Sequence, residues 1–357
     1  MVFTTGLLLA ISILMVFSAT AIVAEETLGT PTVMIVKHLV HICVGLFVMF
    51  FFWSISPSKL YSLAGPALVL SFLLLILVAI PGVGHAAGGA RRWLVIGPLR
   101  FQPGELAKLA LILYVASYIS RQKSKMFRFF PGALFPCVLV AVFSCLLLLE
   151  PDFGTSVILL LVVFCQLLTS SRLLHLLGIG LAGLMAFSVL LFTSPYRMRR
   201  FQVFLSPFED PSNAGYQLVQ SLVAVGSGGI WGQGLGAGKQ KLFYLPAAHT
   251  DFIFAVISEE LGLIGAVFVL FLFILVAFRG FKLVHKFADR PFKCALALGC
   301  TLLIVVPAFL NMGVVTGLLP TKGLVLPLVA YGGTAMVINL SIIGVLLRLS
   351  ADDECDQ

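Results

Sequence analysis

The sequence has 357 residues, of which 60% are hydrophobic and 11% charged, with a formal net charge of +8; its mean hydropathy is +1.10. A water-soluble domain of this size could not present so apolar a surface, so the composition excludes a soluble protein. Apolar runs of about 20 residues recur along the chain, and a helix of that length spans the bilayer while satisfying its own backbone hydrogen bonds. The sequence therefore predicts an all-α polytopic integral membrane protein rather than a barrel.

The chain is predicted to hold about ten transmembrane helices. The first run begins within a few residues of Met1 and lacks a basic leader and a cleavage site, so it is predicted to be a retained span rather than a signal peptide. Residues 1–350 would form a single transmembrane domain, followed by a short acidic cytoplasmic tail at 351–357. The predicted spans lie near 5–24, 33–53, 63–80, 103–120, 132–150, 154–170, 173–192, 252–278, 293–313 and 327–348.

The distribution of Lys and Arg indicates an orientation. With a cytoplasmic N-terminus, the inner loops hold two basic clusters, which favours that orientation and places both termini in the cytoplasm. The outer face nevertheless keeps many bases, so we expect an anionic ligand there, with lipid headgroups as the alternative for any single residue. These outer bases are Arg91, Arg92, Arg100, Arg197, Arg199, Arg200, Lys239, Lys241 and Lys322.

Two outer segments are unusual. Residues 81–102 are rich in glycine and place Trp93 beside arginines, which is typical of a short interfacial stretch. Residues 193–251 are predicted to be the one large extracytoplasmic loop, which includes a run of glycines from Gly226 to Gly238. Since these glycines lack the strand and helix of a dinucleotide site, they indicate close backbone approach or loop mobility.

Acidic residues in apolar surroundings are the first candidates for function. Asp251 lies where a polar loop enters an apolar helix. Because a charge near a bilayer costs on the order of 3 kcal/mol, an acid at this position indicates a function. His249 either orients Asp251 or is structural. Glu259 and Glu260 follow in the same helix, and one or both are predicted to anchor helices through Ser, Thr or backbone partners rather than to transfer protons.

Two further acidic positions have structural alternatives. Glu105 and Lys108 lie one turn apart at the start of the fourth predicted span, where they are either a structural ion pair or a functional pair that offers a cation to phosphate. The corner from Glu150 to Gly154 is predicted to be a turn in which Asp152 accepts backbone N–H groups.

Other chemistries have little support. The seven cysteines form no C-x-x-C pair and have no histidine at ligand spacing, so neither disulfides nor zinc are indicated. Neither a G-x-S-x-G elbow nor a P-loop is present. An outward carboxylate beside many cations suits transfer between phosphate-bearing substrates, in which the bases hold a pyrophosphate leaving group and the acid takes a proton. A transporter of anionic lipids would need the same bases.

A series of motifs then resembles the SEDS family (shape, elongation, division and sporulation), and within it the division branch more than the elongation branch. The matches cover most of the chain. They are Gly89 to Leu94, Gln102 to Lys108, Pro151 to Thr155, Gly215 to Gln217 with Gln220 and Ser221, Gly232 to Gly236, Lys239 to Lys241, His249 to Phe252, Gly317 to Gly323, and Tyr331 to Gly333.

The resemblance implies a ten-helix glycosyltransferase that polymerises lipid II on the outer face of the bacterial plasma membrane at the division septum. It implies a divalent cation (Mg²⁺ or Mn²⁺), with Asp251 as general base and metal ligand. It also implies a class B penicillin-binding protein as transpeptidase partner, other divisome proteins and membrane lipids, but no nucleic acid. The substrate-binding residues would be Arg91, Arg92, Glu105, Lys108, Lys239, Lys241, His249 and Lys322.

The chain departs from the family pattern at several positions. Ala247 replaces the usual Glu before Ala-His-Thr-Asp, and Gly104 replaces a Ser. Three more serines are replaced by Ala330, Thr334 and Ala335. The lost acid at 247 bears on metal or substrate contacts. Two other functions use the same features, a lipid II flippase and a non-enzymatic divisome scaffold that recruits the transpeptidase.

Overall fold

The computed structural model describes residues 1–87, 90–97, 99–193, 198, 202–209, 215–242, 244–320 and 323–352. Three strands lie between the third and fourth helices: β1 (His85–Ala87), β2 (Ala90–Ile96) and β3 (Leu99–Phe101). The helices are α1 (Val2–Leu28), α2 (Val33–Ser54), α3 (Pro57–Ala79), α4 (Pro103–Arg121), α5 (Phe135–Leu149), α6 (Phe153–Leu168), α7 (Leu173–Phe192), α8 (Tyr216–Gly228), α9 (Ile253–Lys286), α10 (Pro291–Val315) and α11 (Gly333–Ala351).

A helix occurs at each of the ten predicted spans. Among the described residues, 7 helices are long and apolar enough to cross a membrane, and the shorter apolar helices include Phe153–Leu168 and Leu173–Met185. The multi-pass helical class is therefore confirmed, whereas the count of ten spans stays a prediction. Helix α8 is an addition, because it lies inside the stretch predicted as one large outer loop.

The chain divides into two compact units. The first unit comprises residues Met1–Cys43, Leu184–Leu275 and Val305–Gly332. The second comprises Val44–Gly183, Val276–Ile304 and Gly333–Gln357. The single transmembrane domain over residues 1–350 stays a prediction.

In the second unit, α3 packs against α4, α5 packs against α6, and α11 packs against α4. One buried polar residue, Gln166, and one small residue, Gly344, connect neighbouring segments of this unit. The buried Gln166 amide of α6 donates to Ile112 O at 3.2 Å and Ala295 O at 2.9 Å. A Cβ at Gly344 would lie 2.3 Å from Met49 O. Small residues and side-chain hydrogen bonds of this kind hold helices together where lipid offers no hydrophobic driving force.

The second unit also contains a small antiparallel sheet with the order β1-β2-β3. Arg91 pairs with Ala86 and Val95 pairs with Arg100. The sheet contacts α3 and α4. These strands occupy the stretch predicted as interfacial, and their pairing fixes where the two arginines of β2 lie.

In the first unit, helix α9 is interrupted at Gly262, which has φ 67° and ψ −165°. Residues 228–241, here called the glycine segment, lie against this break. The backbone groups released by the break are satisfied by the segment, as polar groups at membrane depth require. Four hydrogen bonds make the connection: Gln233 N to Glu259 O (2.9 Å), Gly234 N to Glu260 O (3.1 Å), Leu263 N to Gly229 O (2.9 Å) and Ile264 N to Ile230 O (3.3 Å).

The glycines of this segment permit close backbone approach, which confirms one of the two uses predicted for them. A Cβ at Gly228 would lie 1.9 Å from Ser258 O, and a Cβ at Gly232 would lie 2.2 Å from Glu260 O. Because real Cβ contacts are never this short, a larger residue would separate the segment from α9.

Candidate functional site

Asp251 lies two residues before the first residue of α9 and is half-buried. The buried Asn311 amide donates to Asp251 O at 2.7 Å and to Leu324 O at 2.6 Å, so it joins the loop before α9 to the chain after α10. A Cβ at Gly323 would lie 3.1 Å from Asp251 Oδ2, so glycine backbone approaches the carboxylate. The start of a helix favours a nearby anion. The predicted placement of Asp251 at a helix entrance is confirmed.

His249 belongs to the same turn and packs against Tyr331. Their ring centroids are 5.8 Å apart in an edge-to-face arrangement. Tyr331 N–H donates to His249 O at 3.0 Å, which holds the turn that leads to Asp251. Burial lowers the pKa of His249 below its ordinary value, so the neutral imidazole is favoured. His249 therefore has a packing partner, and its role in orienting Asp251 stays a prediction.

The two predicted lysines of the glycine segment have opposite environments. The Lys239 side chain is exposed, whereas Lys241 is buried. Lys241 Nζ lies 2.6 Å from Glu260 Oε1 and donates to Ser18 Oγ at 2.7 Å. Direct substrate binding by Lys241 is thus not supported, because its ammonium neutralises a buried carboxylate. Lys322 lies outside the described residues.

Glu259 and Glu260 have the Ser and backbone partners that were predicted, but they anchor the glycine segment, whereas the prediction was that one or both anchor helices. Glu259 Oε1 accepts from Lys239 N at 2.8 Å and from Gln240 N at 3.3 Å. Glu260 accepts from Gly236 N at 3.0 Å and from the Ser18 hydroxyl at 2.6 Å, in addition to its lysine partner. Ser and backbone partners therefore satisfy both acids, and neither is placed as a proton carrier.

The predicted arginines of the second unit also differ. Arg91 of β2 is exposed. Arg92 is half-buried, and its Nε donates to Glu150 O at 2.8 Å while its terminal nitrogen donates to Pro151 O. Arg92 thus ties the sheet to the corner between α5 and α6, and part of its donor capacity is already used.

Glu105 and Lys108 form the predicted ion pair, with Lys108 Nζ 2.8 Å from Glu105 Oε1. Both side chains are largely buried near the start of α4. Glu105 Oε2 is buried without a hydrogen-bond partner among the described residues. The pair is confirmed, and its contact with substrate stays a prediction.

The corner between α5 and α6 contains a feature that sequence reasoning missed. Asp152 caps α6 as predicted, because its carboxylate accepts from Thr155 N at 3.2 Å and from Thr155 Oγ1 at 2.9 Å. Glu150, by contrast, has both carboxylate oxygens buried without a partner among the described residues. Burial, and then the charge of Asp152, raise the pKa of Glu150 to about 8, although Arg92 opposes the shift. The position of Glu150 directly after an apolar run could have indicated in the sequence that this acid is buried.

The residues near Asp251 bear on metal binding. The described part of the chain has no group of three or more His, Cys, Asp and Glu residues that could hold a metal ion. Mg²⁺, however, commonly binds one or two protein carboxylates and takes its other ligands from substrate phosphates and water. A single half-buried carboxylate such as Asp251 is compatible with that mode.

Comparison with known proteins identifies the family. The sequence model of the FtsW/RodA/SpoVE family, described as "Cell cycle protein", matches residues 1–354. A relative from Geobacter sp. (strain M18), named "Probable peptidoglycan glycosyltransferase FtsW", is 40% identical over 346 residues, which is 96% of this chain and 94% of the relative. A Legionella pneumophila protein of the same name is 41% identical over 349 residues, covering 97% of this chain and 89% of that protein.

Comparison with solved structures supports the same family. A chain from a structure titled "Structural coordination of polymerization and crosslinking by a peptidoglycan synthase complex" has a TM-score of 0.77 and 30% identity, covering 99% of this chain and 98% of its own. The Thermus thermophilus rod shape determining protein RodA has a TM-score of 0.71 and 29% identity, covering 99% and 97%. The resemblance to SEDS proteins is confirmed, and the chain belongs to the FtsW/RodA/SpoVE family of cell cycle proteins.

Proposed function

We propose that this chain is a peptidoglycan glycosyltransferase that polymerises lipid II into glycan strands. The names of its 40% identical relatives support the activity. The observation that carries the proposal is the placement of Asp251, a half-buried carboxylate at the entrance of α9 with glycine backbone beside it. A carboxylate at a helix entrance can accept the proton of a substrate hydroxyl that binds beside it.

In the proposed reaction Asp251 is the general base. It takes the proton of the acceptor sugar hydroxyl while the oxygen of that hydroxyl bonds to the anomeric carbon of the donor sugar. The bond from that carbon to the diphosphate oxygen breaks, and undecaprenyl diphosphate leaves with the electron pair. Configuration at the donor carbon inverts, since the attack is a single displacement.

The leaving diphosphate needs cations, because stabilising developing charge is a large part of catalysis. Lys239 is the exposed lysine of the predicted set in the first unit, which also holds Asp251, and it is proposed to contact the diphosphate. Substrate contact by Arg91 stays a prediction. Arg92 and Lys241 already have carbonyl and carboxylate partners, so they act by holding the structure. For Glu105, Lys108, His249 and Lys322, substrate contact remains part of the proposal.

A divalent cation, Mg²⁺ or Mn²⁺, would be held by Asp251 together with substrate phosphate oxygens. When bound, such an ion supplies charge neutralisation at the diphosphate. The chain's own contribution is to keep the Asp251 carboxylate at the start of α9, through the Asn311 bonds to Asp251 O and Leu324 O.

We further propose that the protein works at the division septum of the plasma membrane, with both termini in the cytoplasm and a class B penicillin-binding protein as partner. The FtsW name of the relatives supports division rather than elongation. The synthase complex whose title joins polymerization and crosslinking supports a transpeptidase partner.

The test is strand synthesis by the purified protein from lipid II with Mg²⁺ or Mn²⁺, with and without the transpeptidase. Asp251→Asn should reduce the rate by at least about 100-fold, the scale of a lost general base. Chelation should stop synthesis and added ion restore it. Lys59→Met, at an exposed lysine in the first turn of α3, is the matched control. Wild-type rates in Asp251→Asn would contradict the mechanism, and lipid II translocation without glycan would favour a flippase.

A further inference from the structure

We propose that Glu259 is a positioning residue for diphosphate binding, which acts by setting the direction of the Lys239 side chain. The inference rests on the proposed function, because the diphosphate is that of the lipid substrate. Glu259 does not touch the substrate in this proposal. It acts through the backbone of the glycine segment.

The contacts of Glu259 explain how this works. Glu259 is only 2% exposed, and its carboxylate accepts from Lys239 N at 2.8 Å and from Gln240 N at 3.3 Å. These two N–H groups flank the Cα of Lys239. Holding both therefore fixes the direction in which the Lys239 side chain leaves the backbone. Hydrogen bonds to an ionised carboxylate are stronger than neutral ones.

Glu260 anchors the segment on both sides of Lys239. It accepts from Gly236 N at 3.0 Å, and it pairs with Lys241 Nζ at 2.6 Å. Between these anchors, a Cβ at Gly238 would lie 3.0 Å from both Glu259 Oε2 and Glu260 Oε1. Glycine at 238 thus lets both carboxylates approach the same short stretch of backbone.

Glu259 lies on the helix that Asp251 precedes. Residues 253–261 form the part of α9 before the break at Gly262; Asp251 lies two residues before this part and Glu259 lies near its end. At 1.5 Å per residue, the helical rise from residue 253 to residue 259 is on the order of 9 Å. The bonds from Glu259 to Lys239 N and Gln240 N therefore fix where the Lys239 side chain leaves the backbone relative to the helix that follows Asp251. A lysine held in this way can bind phosphate as a point charge.

A double-mutant cycle separates positioning from a general structural role. The probe is undecaprenyl diphosphate, whose binding to the purified full-length protein is measured for wild type, Glu259→Gln, Lys239→Met and the double variant. Each single change should weaken binding about 10-fold, the scale of a charged hydrogen bond. If Glu259 acts through Lys239, the double variant should match Lys239→Met within about 2-fold, because the two changes remove the same contact.

Turnover and a matched lysine complete the design. Glu259→Gln should lower kcat/KM for lipid II about 10-fold, and Lys239→Met should lower it by a similar factor, because both changes weaken the same contact with the leaving diphosphate. Lys282→Met removes another exposed lysine and should bind like wild type. If Glu259→Gln does not fold, Glu259→Asp takes its place in the cycle, since it keeps the charge and withdraws it from the backbone.

The outcomes separate this inference from the proposed function. A double variant weakened by the product of the single effects, about 100-fold, would overturn the positioning role even in an active enzyme. Wild-type binding in Glu259→Gln would do the same. A wild-type protein that binds the diphosphate lipid with the expected cycle but forms no glycan would overturn the proposed function and leave the inference standing.

Discussion

Lys241→Met is expected to destabilise the protein by about 3 kcal/mol, because it leaves a buried carboxylate without its counter-ion. The Lys241 and Glu260 side chains are 4% and 0% exposed, and their charged atoms are 2.6 Å apart. Breaking such a pair typically costs about 3 to 5 kcal/mol. We expect the lower end here, because Glu260 keeps the Ser18 hydroxyl and the Gly236 N–H.

Removing both charges should be less harmful than removing one. In Lys241→Met with Glu260→Gln the amide oxygen can still accept from Ser18 or Gly236, and no buried charge remains. The double variant should therefore recover at least about 1 kcal/mol relative to Lys241→Met. The free energy of unfolding is measured by titration with SDS in mixed micelles. Lys239→Met, an exposed neighbour, is the control and should stay within about 0.5 kcal/mol of wild type.

Two results would refute this reasoning. One is a Lys241→Met protein as stable as the control variant. The other is a double variant whose loss equals the sum of the single losses, since that would mean that the two charges do not interact.

Three further changes test other parts of the structure. Gly262→Ala should lower the free energy of unfolding by more than about 2 kcal/mol, since the φ of Gly262 is positive and a Cβ would lie 2.3 Å from Gly232 N. The control is Gly6→Ala, which should not destabilise the protein because no atom lies within 4 Å of the added Cβ. Asp152→Ala should cost about 1 kcal/mol in unfolding titrations by removing the α6 cap, and no loss would contradict the capping role. The raised pKa of Glu150 means that the folded state binds this proton more tightly than the unfolded state. The free energy of unfolding should therefore fall as pH rises from about 5 to about 8 and then level off, and Glu150→Gln should flatten that slope; an unchanged slope would exclude Glu150 as its source.

The helices were predictable because each apolar run is about long enough to span a bilayer as a helix, and this can be seen without knowing its partners. Two local features were predictable because their residues are close together in the sequence. The Glu105 and Lys108 pair follows from one-turn spacing, and the Asp152 cap follows from the corner sequence. Each depends on residues that are near one another in the chain.

The features that were missed depend on distant partners. Gly262 lies in an apolar run and resembles any glycine of a membrane helix, and the break is stable only because the glycine segment supplies hydrogen bonds. Lys239 and Lys241 are two residues apart, and the sequence does not indicate that their environments differ. Only the fold buries one beside Glu260 and exposes the other.

The interruption in α9 also bears on how the protein is made. Residues 229–234 leave the ribosome before residues 259–264, so the segment that hydrogen-bonds to the break has already been synthesised when the break itself emerges. A chain from which that partner had been deleted would carry four exposed peptide groups into hydrocarbon, at a cost of several kcal/mol each. We therefore expect that a circular permutation that reversed this order would insert this helix less efficiently.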